Sequence, residues 1–163
     1  MINILPPEKI SAFIEATQDH KYRTLFRLAI MSGARQGELF GLKWSDILWE
    51  TSQIHVQRTY NNHQWYQPKS KHSKRKVDIG KTAMKRLKEW KLACPPNELD
   101  LVFPNQSGDP LDRSYVVINY FWPTLEAAGL PKIRFHDLRH TYASLLIAQG
   151  ENPKYIQKLN LTL

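Results

Sequence analysis

Two stretches of this sequence place charged side chains where they can act on an anion. In Arg134-Phe135-His136-Asp137-Leu138-Arg139-His140-Thr141-Tyr142, His136 and Arg139 stand three residues apart. On a helix they are neighbours on one face. Both can donate hydrogen bonds to one anion, and a helix's first turn adds backbone N–H groups and the positive end of its dipole. That is a sound local design for holding a phosphate. The same spacing also fits a surface helix whose His136 and Arg139 are solvated or paired with Asp137. The second stretch is Ser32 to Ile47, SGARQGELFGLKWSDI. Gly33 and Gly41 punctuate short helical pieces, and Arg35 opens the second piece. An arginine at a helix start opposes the macrodipole unless an anion binds there. Glu38, one turn later, is placed to orient the guanidinium. As a minor surface pair the two would contribute little.

A metal reading competes for the same helix. His136 and His140 sit at i and i+4, as in zinc helices of the His-Glu-x-x-His type. Here the second position is Asp, and Arg139 lies between the histidines. A cation beside a divalent metal is electrostatically unfavourable. No third ligand is evident, so a metal site is not expected. Cys94 is the single cysteine. One cysteine excludes an internal disulfide and a cysteine-based zinc cage, and it fits a reducing cytosol.

The charge is concentrated. The chain has 163 residues with 23 Lys+Arg against 15 Asp+Glu, a net charge of +8. Lys69 to Lys91 alone holds ten cations and two acids, Asp78 and Glu89. The remainder is balanced, with thirteen of each sign. A basic block on a balanced domain points to a polyanion, nucleic acid first. A lysine-rich solvated helix face fits the block equally well. At 42% hydrophobic residues the chain can bury a core. Its apolar runs fall far short of membrane-spanning length, so no membrane contact and no signal peptide are expected.

Helices must position most of these residues. Pro6-Pro7-Glu8 suits a helix start before Ile10, Phe13 and Ile14. Tyr22, Leu25, Phe26, Ala29 and Ile30 repeat at helical spacing, and Gly33 is placed to end that helix. A short helix follows from Arg35 to about Leu42. Alternation at 54–58, 64–67 and 76–79, with a turn at Asn61-Asn62, predicts a small three-stranded antiparallel sheet. Ala83, Met84, Leu87 and Trp90 mark a helix broken by Cys94-Pro95-Pro96-Asn97. After an irregular connection, Asp112 can cap a helix towards Ala128, with Pro123 as a kink. A helix at 136–149 and a last one after Asn152-Pro153 complete the pattern. The fold class is therefore α+β, mainly α, with the small sheet on one side.

The ordered pieces SGARQGELFGLKWSDI, PKSKHSKRKVDIG, LVFPNQSGDP, AAGLPKIRFHDLRHTYASLLIAQG and NPKYIQKL resemble the catalytic domain of tyrosine recombinases, or phage integrases. Type IB topoisomerases share the chemistry, but the HDLRHTYAS context resembles integrases more. The resemblance implies that Arg35 and Arg139 are the two catalytic arginines and His136 the histidine of the second motif. It implies Lys69 as the catalytic hairpin lysine, with Lys71 as the fallback. Lys71, Lys74, Arg75 and Lys76 would bind DNA, and Glu38 would support Arg35. The implied reaction is DNA strand cleavage and rejoining through a 3′-phosphotyrosyl link, without metal or cofactor. The implied partner is double-stranded DNA, with a tetramer on DNA in the full-length protein and a monomeric isolated domain. The implied location is the cytoplasm of a bacterium, on the nucleoid, from a bacterial or phage gene.

Two features depart from the family pattern. The Gly-His step and nucleophilic tyrosine do not appear, because Tyr155 lies too early and Tyr142 is expected in the core. The N-terminal DNA-clamp domain is also not seen. Residues 1–163 are thus expected to be a catalytic domain without its nucleophile, inactive in cis. A non-catalytic DNA-binding remnant or regulator is the alternative, and a metal-dependent hydrolase using His136 and His140 is a more distant one.

Overall fold

Helix ends fall where capping residues stand. The structure, a computed structural model, describes residues 4–68, 74–150 and 154. Helix α1 (Pro7–Ala16) starts on Pro7 with Glu8 in its first turn. A proline there forfeits no hydrogen bond, and the acid meets the positive dipole end. Helix α2 (His20–Ser32) is capped by Asp19, whose Oδ1 accepts the Tyr22 N–H at 3.1 Å. It ends at Gly33, left-handed at φ +65°. Helix α3 (Gln36–Phe40) is only five residues long.

The described residues within 1–33 and 114–163 form one unit, and those within 34–113 form a second. In the second unit the expected three-stranded antiparallel sheet is present, but one of its members differs. Strands β1 (Ile47–Leu48), β2 (Gln53–Val56) and β5 (Arg75–Asp78) pair in the order β1-β2-β5. The segment expected at 64–67 is not in that sheet. Strands β3 (Thr59–Asn61) and β4 (Gln64–Tyr66) form a separate hairpin. The cause is Asp46, which is 1% exposed. Gln57 donates to its Oδ1 at 2.8 Å, Arg58 donates to both oxygens, and the Lys43 N–H donates at 2.9 Å. A buried carboxylate must be paired, and that demand pulls Gln57 and Arg58 out of the ladder. Asn62 and His63 then turn the hairpin in left-handed conformations at φ 50° and 63°.

Ile47, Ile54, Val56, Val77 and Ile79 are buried in this unit. So are Ala83, Met84, Leu87 and Trp90 of helix α4 (Gly80–Ala93). The Trp90 indole N–H donates to the Val102 carbonyl at 2.7 Å, so the buried ring leaves no orphan donor. The Val102 N–H in turn donates to the Leu42 carbonyl at 3.0 Å, which ties this segment to the chain just beyond α3.

The helix expected to kink at Pro123 widens instead. Helix α5 (Arg113–Val116) passes through a π turn (Val117–Phe121) into α6 (Trp122–Ala127). The Trp122 N–H reaches back five residues to the Val117 carbonyl. Pro123 has no N–H and crowds the carbonyl four residues before it, which the wider turn accommodates. Phe121 thereby joins Phe13, Phe26 and Phe135, with ring centroids 5.3 to 6.1 Å apart. This cluster lies in the core of the first unit. Helix α7 (Asp137–Ala148) packs against α2. The expected last helix, with Tyr155, lies outside the described residues. Among the described residues no helix is long and apolar enough to cross a membrane.

Candidate active site

In the first unit, the start of α7 is organised by Asp137. This side chain is buried, and its Oδ2 accepts the Arg134 N–H at 2.9 Å while Oδ1 accepts the Arg134 guanidinium at 2.9 Å. Burial pushes the Asp137 carboxyl up, but those hydrogen bonds and the charges of Arg134 and His140 hold it below its ordinary value. Asp137 therefore pairs with Arg134, and Arg139 is positioned by other means. Arg139 is only 5% exposed, and its Nη1 donates to the carbonyl of Gly33. The glycine that ends α2 thus anchors the buried arginine of α7. His136 is exposed at the N-cap of α7. Its ring stands edge-on to buried His140, with centroids 5.4 Å apart. Among the described residues no cluster of three or more His, Cys, Asp or Glu is arranged to hold a metal ion.

In the second unit, Arg35 is the N-cap of α3 and its side chain is 48% exposed. Its backbone N–H donates to Glu38 Oε1 at 2.7 Å, whereas its guanidinium stays 3.9 Å from Glu38 Oε2. The close partner of Glu38 is Arg75. Nη1 donates to Oε2 at 2.9 Å and Nη2 to Oε1 at 3.0 Å, a planar two-point pairing. Burial pushes the Glu38 carboxyl up. The hydrogen bonds and charge of Arg75, with the N–H and charge of Arg35, bring it below its ordinary value.

Of the cations expected to bind DNA, Lys74 and Lys76 are exposed, and Arg75 between them points inward with its side chain 9% exposed. Lys69 and Lys71 lie outside the described residues. Along α4, Lys81, Lys85 and Lys88 form an exposed stripe opposite the buried face, whereas Arg86 pairs with Glu89 at 3.0 Å. Lys91 stands 5.4 Å from the ring centroids of both Trp44 and Trp49. The basic block is thus divided between solvent and specific partners.

The Glu38 pair carries a pH dependence. A carboxyl held below its ordinary value of 4.5 stabilises the fold fully above that value. This contribution fades as pH falls through the lower folded value. Glu38→Gln is expected to cost about 3 kcal/mol at pH 7, because it leaves the buried arginine without its counter-charge. As pH falls from 7 towards 3 the gap should narrow, because the protonated acid comes to resemble glutamine. Urea midpoints of both proteins at the two pH values check this, and an equal gap at both would contradict it.

A mainly helical scaffold with a small antiparallel sheet is the fold expected from the resemblance to tyrosine recombinase catalytic domains. The chain belongs to the Phage integrase family, whose model matches residues 3–160. It is 32% identical over 183 residues to the tyrosine recombinase XerC-like protein of Caldanaerobacter subterraneus subsp. tengcongensis, covering 97% of this chain and 46% of that one. It is 33% identical over 163 residues to the ICEBs1 integrase of Bacillus subtilis, covering 90% of this chain and 43% of that one. A solved structure of the Tn1549 transposon integrase in complex with a circular intermediate DNA shares the fold, with a TM-score of 0.84 at 21% identity over 98% of this chain and 57% of that one. The chain therefore spans about half the length of the relatives it matches.

Proposed function

We propose that this chain is the phosphate-activating part of a DNA strand-exchange enzyme, a tyrosine-type site-specific recombinase. The observation that carries this reading is the anchored Arg139. A buried guanidinium fixed by a main-chain carbonyl is oriented before any substrate arrives. In this reading a tyrosine hydroxyl attacks a DNA phosphodiester, the phosphorus–5′-oxygen bond breaks, and a 3′-phosphotyrosyl link forms. Arg35 and Arg139 stabilise charge on the nonbridging oxygens, as planar, permanently charged donors do best. His136 donates a hydrogen bond or assists proton transfer. Lys69 gives a proton to the leaving 5′-oxygen, and Lys71, Lys74 and Lys76 contribute to DNA binding. Attack by another 5′-hydroxyl reverses the step and rejoins strands, so no energy-carrying cofactor enters.

No tyrosine of this chain is assigned as nucleophile. Tyr142 is buried, at 5% exposure. The partners in this reading are double-stranded DNA and further copies of the full-length protein in a tetramer on that DNA. The setting is the cytoplasm of a bacterium. In this reading residues 1–163 are the catalytic domain of a longer protein, which their coverage of 46% and 43% of two matched relatives supports.

Salt titration of duplex binding tests the DNA assignment. If the chain neutralises about four phosphates, affinity should fall on the order of 10²-fold between 50 and 200 mM salt. Affinity that stays flat would remove duplex DNA as the partner. Incubation with a nicked suicide duplex tests the chemistry. The complete gene product should form a covalent adduct that survives denaturation, and this chain alone should form none. An adduct with the chain alone would show that a tyrosine within it is the nucleophile.

A further inference from the structure

We propose that Arg75 is a positioning residue for Arg35, acting through Glu38, rather than a DNA contact. This rests on the reading that Arg35 acts on the scissile phosphate. Helix α3 has five residues, too few to hold its own place, since isolated helices of that length do not persist. Something outside it must fix its first turn. The Arg75 guanidinium does so from strand β5, by gripping both oxygens of Glu38. Glu38 Oε1 simultaneously holds the Arg35 N–H at 2.7 Å. The chain of contacts runs from β5 to the Glu38 carboxylate to the backbone of Arg35. The Arg35 guanidinium keeps its 48% exposure and stays 3.9 Å from the acid, so the grip places its backbone without consuming its donors.

The strand pattern supports the inward role. Arg75 and buried Val77 lie on one face of β5 and exposed Lys76 on the other, with exposed Lys74 just before the strand. Opposite Arg75 in the ladder stands Val56, which is also buried. An arginine in that register is directed to an internal acid, whereas its two lysine neighbours meet solvent. Close packing at the far side completes the seat of α3. A Cβ on Gly37 would come within 2.7 Å of the Thr59 side chain and 2.8 Å of the Tyr60 carbonyl. The short helix is therefore held on one side by hairpin backbone and on another by the Arg75–Glu38 pair.

The test uses the complete recombinase that contains this chain, with Arg75→Gln, Glu38→Gln and the double variant. Single-turnover cleavage of a suicide duplex should fall on the order of 10²-fold for Arg75→Gln, the scale expected for about 1 Å of misplacement. The double variant should be no slower than the slower single variant. The salt slope of duplex binding should be unchanged, whereas loss of a phosphate contact would lower it by about 0.9. Arg75→Lys keeps the charge without the two-point fork and should be impaired less. It also serves if the glutamine variant does not fold. Unimpaired cleavage by Arg75→Gln, or by Arg75→Lys where the glutamine variant does not fold, would overturn the proposal. So would additive losses in the double variant or a reduced salt slope. Failure of the unchanged recombinase to cleave would overturn the functional reading and this proposal together.

Discussion

Arg139→Lys in the complete recombinase is expected to slow single-turnover DNA cleavage by about 10²- to 10³-fold, with duplex affinity changed less than tenfold. The range is that of removing one preorganised donor from a charge-stabilising site, about 3 to 4 kcal/mol. The reason lies in how the side chain is held. Arg139 is 5% exposed and one guanidinium nitrogen is engaged by the Gly33 carbonyl. A guanidinium has five N–H donors in a rigid fork, so one nitrogen can be anchored while the plane still presents donors in a fixed direction. Lysine has a single point of attachment. Its ammonium can satisfy the carbonyl or reach a phosphate, but cannot do both in a fixed geometry. Charge is conserved in this variant, so long-range attraction for DNA should persist. Single-turnover rates and duplex affinity, measured on one substrate, check the split. A lysine variant within a few-fold of the unchanged rate would remove Arg139 from the reacting site.

Gly33→Ala is expected to destabilise the chain by about 3 kcal/mol or more, from overpacking and backbone strain together. Gly33 is left-handed at φ +65°, where a Cβ costs about 1 kcal/mol. The larger part is steric. The added Cβ would stand 2.2 Å from Cδ2 and 3.0 Å from Cγ of Tyr142, a buried ring. Those are atoms at the base of the ring, so rotating its far end gives no relief. For a chain of this size the loss corresponds to a melting temperature lower by about 10 °C. Calorimetry or urea unfolding measures it directly. A change within about 0.5 kcal/mol would mean that the ring moves aside freely. Because the penalty depends on Tyr142, Gly33→Ala combined with Tyr142→Ala should lose less than the sum of the two single changes. The Gly33 carbonyl is also the anchor of Arg139, so the alanine variant should slow cleavage even where it remains folded.

These expectations arise from different levels of legibility. Helical spacing at 22–30 and 83–90, with Gly33 as a stop, was readable because those patterns are local. The motif residues were readable because their order along the chain matches the family. The role of Arg75 was also within reach. Arg75, Val77 and Ile79 alternate, so an arginine on the core face implied a buried acid. Composition obscured this, since a run of cations invites a single reading for all of them. The partner itself, 37 residues earlier at Glu38, was not legible from spacing.

The sheet shows the same division. Alternating residues predicted strands at about the right places, but alternation does not say which strands pair. The pairing was decided by Asp46, whose buried carboxylate captures Gln57 and Arg58 and separates β3 and β4 from the ladder. At Pro123 the sequence signalled a disturbance, and packing of Phe121 into the aromatic core accompanies its resolution as a wide turn.

The sequence by itself determined the family and the α+β class, and it put forward a polyanion as partner and Arg35, His136 and Arg139 as the residues to act on it. Each of these depends on residue type, order and short-range periodicity. Only the tertiary structure decided what holds those residues. Arg139 is anchored by a carbonyl 106 residues away, and the start of α3 is tied to β5 through Glu38. Hydrogen-bond partners of buried charges are chosen by proximity in the folded chain, and desolvation makes that choice costly to leave unmade.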